Sequence, residues 1–579
     1  MLVLRKLLSA VALAAAFVSV VASAATGRSS QESVSTSTLM PGVTYSRVVD
    51  FTSRGPIVLD VVTAPKPTGA LYSLAPALSN DLLVGKETLT HLSSRVAGGA
   101  ATVAIDGDYF NRQTGAPGGV LMRDGVLESA PATGRTSLGI DAGGMLTAAR
   151  VSLAGTWQGN GQRRPLLLNT PAGKGKFTLY TPAYGTATPR EPGVVEAVIG
   201  ELPPTRPSVS LSGTVTQVTT AGPTGIPSNG AVLVARGAVS TAQLRAEAPV
   251  GQQVAALLSL SPGWSGLASA IGGGPLLVRS GKPVFHANES FDPRRLNTRQ
   301  PRGAIGQLAD GRILLVAVEG TNPAYSIGMS SYELAVELSR LGATTAVGLD
   351  SGAAAGIAFN GNLLTRPSGG AEAKLSDALV LSYSGVYAAP PSAPVLSPNG
   401  DGAGDTEALA FQVARPSTVV ATLAGPDNTK ITLASGTESP GAHTLTWDGV
   451  NGATPAPEGP WTFAVTATDD RKVTTTAQRT FSLDDTLSSL AVTSGSRPTA
   501  TFQLTRSANV VVRIERLNGV VVASLGSGSR AAGLQRVTWR GRIGKRQAQK
   551  GPYRVEVVAT SSVGTSSLAA QFSLRPHTR

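Results

Sequence analysis

Apolar and polar positions follow two different rhythms along this chain. Between residues 42 and 388 the apolar runs are short, continuous and punctuated by glycine; beyond residue 394 apolar and polar positions alternate. In the first region the clearest stretch runs from Ile313 to Leu349. Ile313–Val318 is an unbroken β-rich apolar run. Ser330 and Glu333 have the spacing of a capping box. Leu334, Leu338 and Leu341 then mark one face of a helix, which Gly342 can stop in a left-handed conformation. Thr344–Leu349 follows as a second strand. The pattern predicts strand, helix, strand, with the two strands as parallel neighbours joined by a right-handed crossover. Thr102–Ile105 reads as a further buried strand. The fold class expected for residues 42–388 is therefore α+β with a mixed sheet.

Residues 389–394, Ala-Pro-Pro-Ser-Ala-Pro, form a stiff extended linker. Past it, segments 395–484 and 485–576 share a plan. Each has an early strand, Ala408–Val413 or Thr499–Leu504. Each then reaches Thr446-Trp447 or Thr538-Trp539, and closes on Gly459-Pro460-Trp461 or Gly551-Pro552-Tyr553. Alternation with closely spaced turns predicts two all-β immunoglobulin-like sandwiches. The internal repeat supports both.

Composition sharpens this picture. With 67 Gly, 38 Pro and 5% aromatic residues, short strands and turns are favoured over long helices. Arg5 and Lys6, the apolar run Leu7–Val21 and Ala22-Ser23-Ala24 have the three-part layout of an export signal over residues 1–24. The run is shorter than the ~20 residues of a spanning helix. Residues 25–41 are Ser/Thr-rich and expected as a flexible lead-in. The sequence has no Cys, which excludes disulfides and thiol catalysis, and only His91, His286, His443 and His577, which disfavours a multi-histidine zinc site. An exported chain with a net charge of +13 points to anionic partners such as phosphate-containing envelope glycans rather than nucleic acid; dispersed charge serving solubility is the bland alternative.

The candidate chemistry is carboxylate-rich. Asp106 and Asp108 follow the strand at Thr102–Ile105, Glu319 follows Ile313–Val318, and Asp350 follows Thr344–Leu349. Each alone reads as a turn. Three acidic strand ends beside glycines suggest one polar cleft. Arg302 and Arg366 are the candidate phosphate-holding arginines, since guanidinium matches phosphate by paired hydrogen bonds. No cofactor is called for. Asn399, Asp401 and Asp405 could form a Ca2+ loop, although the bidentate Glu of a full calcium loop is absent and a turn is the simpler reading.

At these residues the first region resembles the phosphodiester glycosidase family, related to the enzyme that removes N-acetylglucosamine from phosphodiesters. The resemblance rests on motifs in the expected order. These are Asp106–Asn111, Gly115–Gly119 with Arg123-Asp124-Gly125, Ile271–Val278, Arg302–Gly306, Tyr325–Met329, Leu349–Gly352, Arg366-Pro367-Ser368 and Ser376–Leu379. The tandem modules resemble flagellar-hook-capping immunoglobulin-like domains. The resemblance implies a hydrolase that releases a sugar from a phosphodiester-linked glycan. In that reading Asp350, Glu319, Asp108 and Asp106 are catalytic, and Arg302, Arg366, Gly274, Ser326 and Ser351 bind substrate. The chain departs from the family at Asp106, at Thr321, at Ala353–Ala355 where hydroxyls are usual, and at Ala373 where an arginine is usual. A relative that binds phosphoglycans without turning them over is the alternative.

Overall fold

The computed structural model describes residues 31–575, apart from 221, 265, 286–287, 399–401 and 403. The export signal expected over 1–24 lies outside these residues, as do Asn399 and Asp401 of the candidate calcium loop. Two compact units are present. The first runs to Ser382 and the second from Tyr383, with Ala97–Ala101 grouped with the second. The second unit thus starts before the proline-rich linker, because Tyr387–Ala388 pairs with the strand Glu407–Val413.

The elements that position the site, in chain order, are β1 (Gln31–Met40), β2 (Val43–Thr52), β3 (Gly55–Ala64), α1 (Leu89–Val96), β4 (Ala101–Asp106) and β5 (Leu276–Arg279). They continue with α2 (Pro293–Asn297), β6 (Arg302–Leu308), β7 (Ile313–Val318), α3 (Ser331–Arg340), β8 (Ala343–Ser351) and β9 (Asp377–Tyr383). One sheet has the order β1-β2-β3-β7-β6-β8-β5 and ends on Lys282–Pro283. A second sheet places β4 beside β9 and the short strand Ile357–Phe359.

The α+β expectation is overturned. Strand accounts for 53% of the structure and helix for 8%, and the first unit is nearly all β. Strands β7 and β8 do run in the same direction, but they are not neighbours. Strand β6 lies between them, antiparallel to both. The reason is local: β6 and β7 form a tight hairpin across Ala309–Arg312, with Gly311 at φ +88°, and the hairpin inserts as a pair. The misleading signal is burial on both faces. Every residue of β7 is buried, so it has the unbroken apolar run usual in parallel sheets. Helix α3 forms with the expected Ser330/Glu333 capping box and packs Leu334, Ala335 and Leu338 against Val61, Leu314, Val316 and Ala346. Residues 31–40, expected within a flexible lead-in, are strand β1, paired with β2 along its length.

In the second unit each repeat is a sandwich of two antiparallel-rich sheets. The repeated aromatic motifs form the centre of each core. Trp447 and Trp461 lie 4.6 Å apart between ring centroids, and Trp539 and Tyr553 lie 5.1 Å apart.

Candidate active site

Two groups of buried acids flank β6. The first gathers where the ends of the two sheets just described meet. Asp106 ends β4, Asp377 opens β9, and Asp350 is the penultimate residue of β8. Main-chain hydrogen bonds hold them together. The Asp350 N–H donates to the Gly107 carbonyl at 2.8 Å, and the Gly107 N–H to the Asp377 carbonyl at 3.0 Å. The Asp108 N–H donates to Asp377 Oδ1 at 2.7 Å, and the Gly356 N–H to Asp106 Oδ1 at 3.0 Å. The glycines are required by this closeness. A Cβ on Gly107 would stand 2.0 Å from Asp377 Oδ1, and one on Gly303 would stand 2.4 Å from both Asp106 oxygens. Asp-Gly at residues 106–107 is therefore a packing solution around carboxylates and not only a turn.

Charge in this group is poorly compensated. Asp106, Asp108, Asp350 and Asp377 are all buried, and Oδ2 of Asp106, Asp108 and Asp377 has no hydrogen-bond partner. Burial pushes Asp106 and Asp377 well above the usual carboxylate range, and repulsion from neighbouring aspartates adds to it. Asp108 is raised to about 6 by burial, against the pull of Arg135, whose Nη2 donates to its Oδ1. Asp350 is also raised to about 6, by burial and by Asp108, while the Ser351 N–H, Arg112 and Arg295 oppose the rise. An aromatic wall adjoins it. The guanidinium carbons of Arg135 and Arg295 lie 4.8 and 4.9 Å from the ring centre of buried Tyr109. Arg112 and Arg295 are exposed.

The second group lies on the other side of β6. Arg47 Nη2 donates to Glu319 Oε1 at 3.0 Å and its Nη1 to Asp60 Oδ1 at 3.0 Å. The Tyr45 hydroxyl also donates to Asp60 Oδ1, at 2.6 Å, and the Arg366 N–H to Glu319 Oε1 at 2.9 Å. Asp60 is raised to about 7 by burial. Arg366 itself is exposed, its guanidinium 4.8 Å above the Tyr325 ring.

The structure thus separates the expected residues. Asp106, Asp108 and Asp350 come together. Glu319 does not join them: it belongs to the arginine-neutralised group, two strands from β8 and roughly 10 Å away by sheet spacing. Arg302 was expected to hold phosphate. Instead it is buried, its Nε donating to the Met329 carbonyl at 2.7 Å and its Nη2 to those of Arg295, Thr298 and Leu296 at 2.6, 3.0 and 3.2 Å. Ser326 is likewise part of the framework: its hydroxyl donates to the Glu319 carbonyl at 2.6 Å and accepts from the Val58 N–H at 3.0 Å. Ser351 accepts from Gln300 Nε2 at 3.2 Å, beside Asp350. Gly274, at φ +103°, packs against Phe291 and Glu289, where a Cβ would meet the Glu289 carboxylate at 2.6 Å. Of the candidate calcium-loop residues Asp405 is described, its Oδ2 accepting from the Gly402 N–H at 2.8 Å. Among the described residues no three His, Cys, Asp or Glu side chains converge as a metal ion needs.

Sequence reasoning gave no role to Asp377, Arg135, Arg47 or Asp60. Asp60 had a signal: a lone acid inside the apolar run Ile57–Val62 must be paired when buried. Asp377, heading a buried strand, had the same one. Arg135 and Arg295 reach the site from segments whose approach no local pattern shows.

Comparison with known proteins supports the two-part reading. Residues 205–382 match the family model described as phosphodiester glycosidase, and residues 485–562 match that of the FlgD Ig-like domain. Both resemblances stated from the motifs are thereby shown for those segments. Glu319, Asp350 and Asp377 fall inside the first match, and Asp106 and Asp108 precede it. A crystal structure of a hypothetical protein from Synechocystis is similar at 27% identity and a TM-score of 0.50, covering 59% of this chain and 62% of that one. A candidate exported protein from Burkholderia pseudomallei K96243 has the same TM-score of 0.50 at 21% identity, covering 61% of this chain and 97% of its own. That similarity speaks to the fold alone. An uncharacterized SPbeta prophage-derived protein, YomE, from Bacillus subtilis (strain 168), is 33% identical over 88 residues, 15% of this chain and 14% of the relative's length.

Proposed function

We propose that the first unit is a hydrolase that cleaves sugar-1-phosphodiesters of the N-acetylglucosamine-1-phosphate type, in exported or envelope glycans, with Asp350 as its central carboxylate. The observation that carries this reading is the poorly compensated aspartate group around Asp350, which itself lies within the segment that matches phosphodiester glycosidases. Glycoside cleavage needs one carboxylate to act at the sugar carbon as nucleophile or base, and neighbours that keep a proton. Asp350 and Asp108, raised to about 6, carry charge above that pH, while burial and the neighbouring aspartates push Asp106 and Asp377 towards the protonated form. Asp350 faces an electron-poor sugar C1 as the bond to phosphate oxygen breaks. The bonding pair leaves with the phosphate, and water supplies the hydroxyl that C1 gains. A phosphate monoester is a good leaving group, so strong acid assistance is unnecessary. Exposed Arg295, Arg112 and Arg366 are the cations available to hold it. The three-part layout of residues 1–24 supports the reading of an exported site of action. The described residues contain no helix long and apolar enough to cross a membrane.

A specific feature favours a second reading, a phosphoglycan-binding protein with weakened catalysis. A recess near the end of β8 is lined in part by Ala353, Ala354, Ala355 and Ala373, apolar where the family carries hydroxyls and an arginine. Its Glu372 is already engaged with the N–H and hydroxyl of Thr90 at the start of α1. Sugar release from an N-acetylglucosamine-1-phosphodiester, measured beside the Asp350→Asn variant, separates the two. Release by the parent alone supports the hydrolase; binding with no release by either supports the second.

A further inference from the structure

The two sandwiches carry one connection built twice, with opposite charge. Residues 448–460 and 540–552 are equal in length and link the core tryptophan to the closing Gly-Pro-aromatic. Their backbones match. Trp447 Nε1 donates to the Val450 carbonyl at 2.8 Å, and Trp539 Nε1 to the Arg542 carbonyl at 3.0 Å. Ala456 N–H donates to the Gly449 carbonyl, and Ala548 N–H to the Gly541 carbonyl, both at 2.8 Å. Each forms a two-stranded ribbon, Val450–Asn451 with Thr454–Pro455, and Arg542–Ile543 with Arg546–Gln547. The turn glycines Gly452 and Gly544 have φ +65° and +58°.

On this shared frame the side chains differ systematically. Where the first ribbon has Asp448, Val450, Ala453, Thr454 and Glu458, the second has Arg540, Arg542, Lys545, Arg546 and Lys550. All five cations are exposed, and among the described residues none makes an ion pair. No acidic residue lies between Glu515 and Glu556. In contrast, Glu458 is engaged at the junction of the sandwiches, accepting from the Asp485 N–H at 2.8 Å and pairing with Arg506. The fold of the ribbon does not need cations, because the first copy forms it without any. Five like charges on a short ribbon repel one another, so they cost stability unless a polyanion covers them.

We propose that the ribbon 540–552 binds a linear polyol-phosphate polymer, the phosphodiester chain of an envelope glycan, and holds the enzyme on it. The choice of this polyanion rests on the reading of the first unit, which acts on sugar phosphodiesters; the cationic surface itself does not. Arginine and lysine suit repeating phosphates. The ribbon has no exposed aromatic ring, since Trp539 and Tyr553 are buried, so it lacks the stacking platform of single-strand nucleic-acid binders.

The internal copy supplies the test. The full chain is titrated with synthetic poly(glycerol phosphate), alongside a variant carrying the first ribbon's residues: Arg540→Asp, Arg542→Val, Lys545→Ala, Arg546→Thr and Lys550→Glu. Because the first sandwich shows that this set fits the frame, far-ultraviolet circular dichroism should match the parent. The parent should bind, with affinity falling about 100-fold between 50 and 200 mM salt, as expected for about five phosphate contacts. The exchanged variant should lose binding at least tenfold, yet hydrolyse a short soluble sugar-1-phosphodiester at the parent rate. Asp350→Asn should do the reverse, keeping polymer binding and losing hydrolysis, so failure of the active-site reading is distinguishable from failure of the ribbon. Undiminished binding by the exchanged variant overturns the proposal. So does tighter parent binding to oligothymidylate or to phosphatidylglycerol vesicles than to the polymer.

Discussion

The acids on the two sides of β6 are both buried, and both sides leave carboxylate oxygens without a partner, yet they differ in the cations that face them. Asp60 and Glu319 share the guanidinium of Arg47, itself bonded to Tyr325, and the Arg366 N–H also donates to Glu319 Oε1. Asp106 and Asp377 have main-chain donors and no cation, and of the four aspartates only Asp108 has an ion pair, with Arg135. Buried charge that is neutralised secures a framework, because removing one partner strands the other. Buried carboxyls that no cation faces have their pKa values raised towards working pH, which is where acid–base chemistry needs them. The difference teaches where to look: position at a strand end nominated Glu319 beside Asp106, Asp108 and Asp350, and the facing cation of Arg47 tells it apart.

The sharpest break in the comparison is catalytic. Asp350→Asn should lower kcat/KM by about 100-fold or more in a sugar-release assay, as loss of a transition-state charge does. It should leave the melting temperature at or above that of the parent. Next, Glu319→Gln should leave kcat within a few-fold but lower stability by about 2 kcal/mol in urea titration. This is below the full cost of breaking a buried pair because Arg47 is partly exposed. If Glu319→Gln instead abolished kcat while leaving stability intact, the two groups would have been assigned the wrong way round.

The pH dependence distinguishes the groups on a finer scale. With Asp350 raised to about 6, kcat/KM should climb with pH through that value and level off above it, if the ionised form is the active one. Stability should run the other way. A carboxyl whose folded pKa exceeds its unfolded value binds protons more tightly when folded. Its contribution is complete below about 4 and is lost as pH rises through about 6, up to about 3 kcal/mol for Asp350. Asp350→Asn should flatten that decline, read from melting curves at pH 4.5 and 7.5. The smallest effect belongs to Arg366, exposed and stacked on Tyr325. Arg366→Gln should raise KM by up to about 10-fold with kcat little changed, since it loses a charge-assisted contact.

The sandwiches were legible because their signal is local and repeated: Trp447 and Trp539 recur in the same frame and fill the same place in each core. Helix α3 was legible from its capping box and leucine stripe. The class of the first unit was not. A strand such as β7, buried on both faces, has the same apolar run in parallel and antiparallel sheets, and the neighbour that decides, β6, is chosen by a hairpin turn. For the candidate site, strand-end position picked out Asp106, Asp108 and Asp350, which the structure brings together. Arg302 misled because an arginine near a glycine-rich strand can serve phosphate or main-chain carbonyls equally, and only burial with four carbonyl partners settles which. Arg47 was hidden because its partners, Asp60 and Glu319, lie on strands far from each other in sequence.

The central claim is that Asp350, and not Glu319, sits at the chemical centre. The most direct test is the initial rate of sugar release from an N-acetylglucosamine-1-phosphodiester by the parent, Asp350→Asn and Glu319→Gln at pH 7.5, each shown to be folded. The account predicts release by the parent and by Glu319→Gln, with Asp350→Asn reduced at least 100-fold, on the scale of a lost transition-state contact. Undiminished release by Asp350→Asn, or no release by the folded parent, would contradict it.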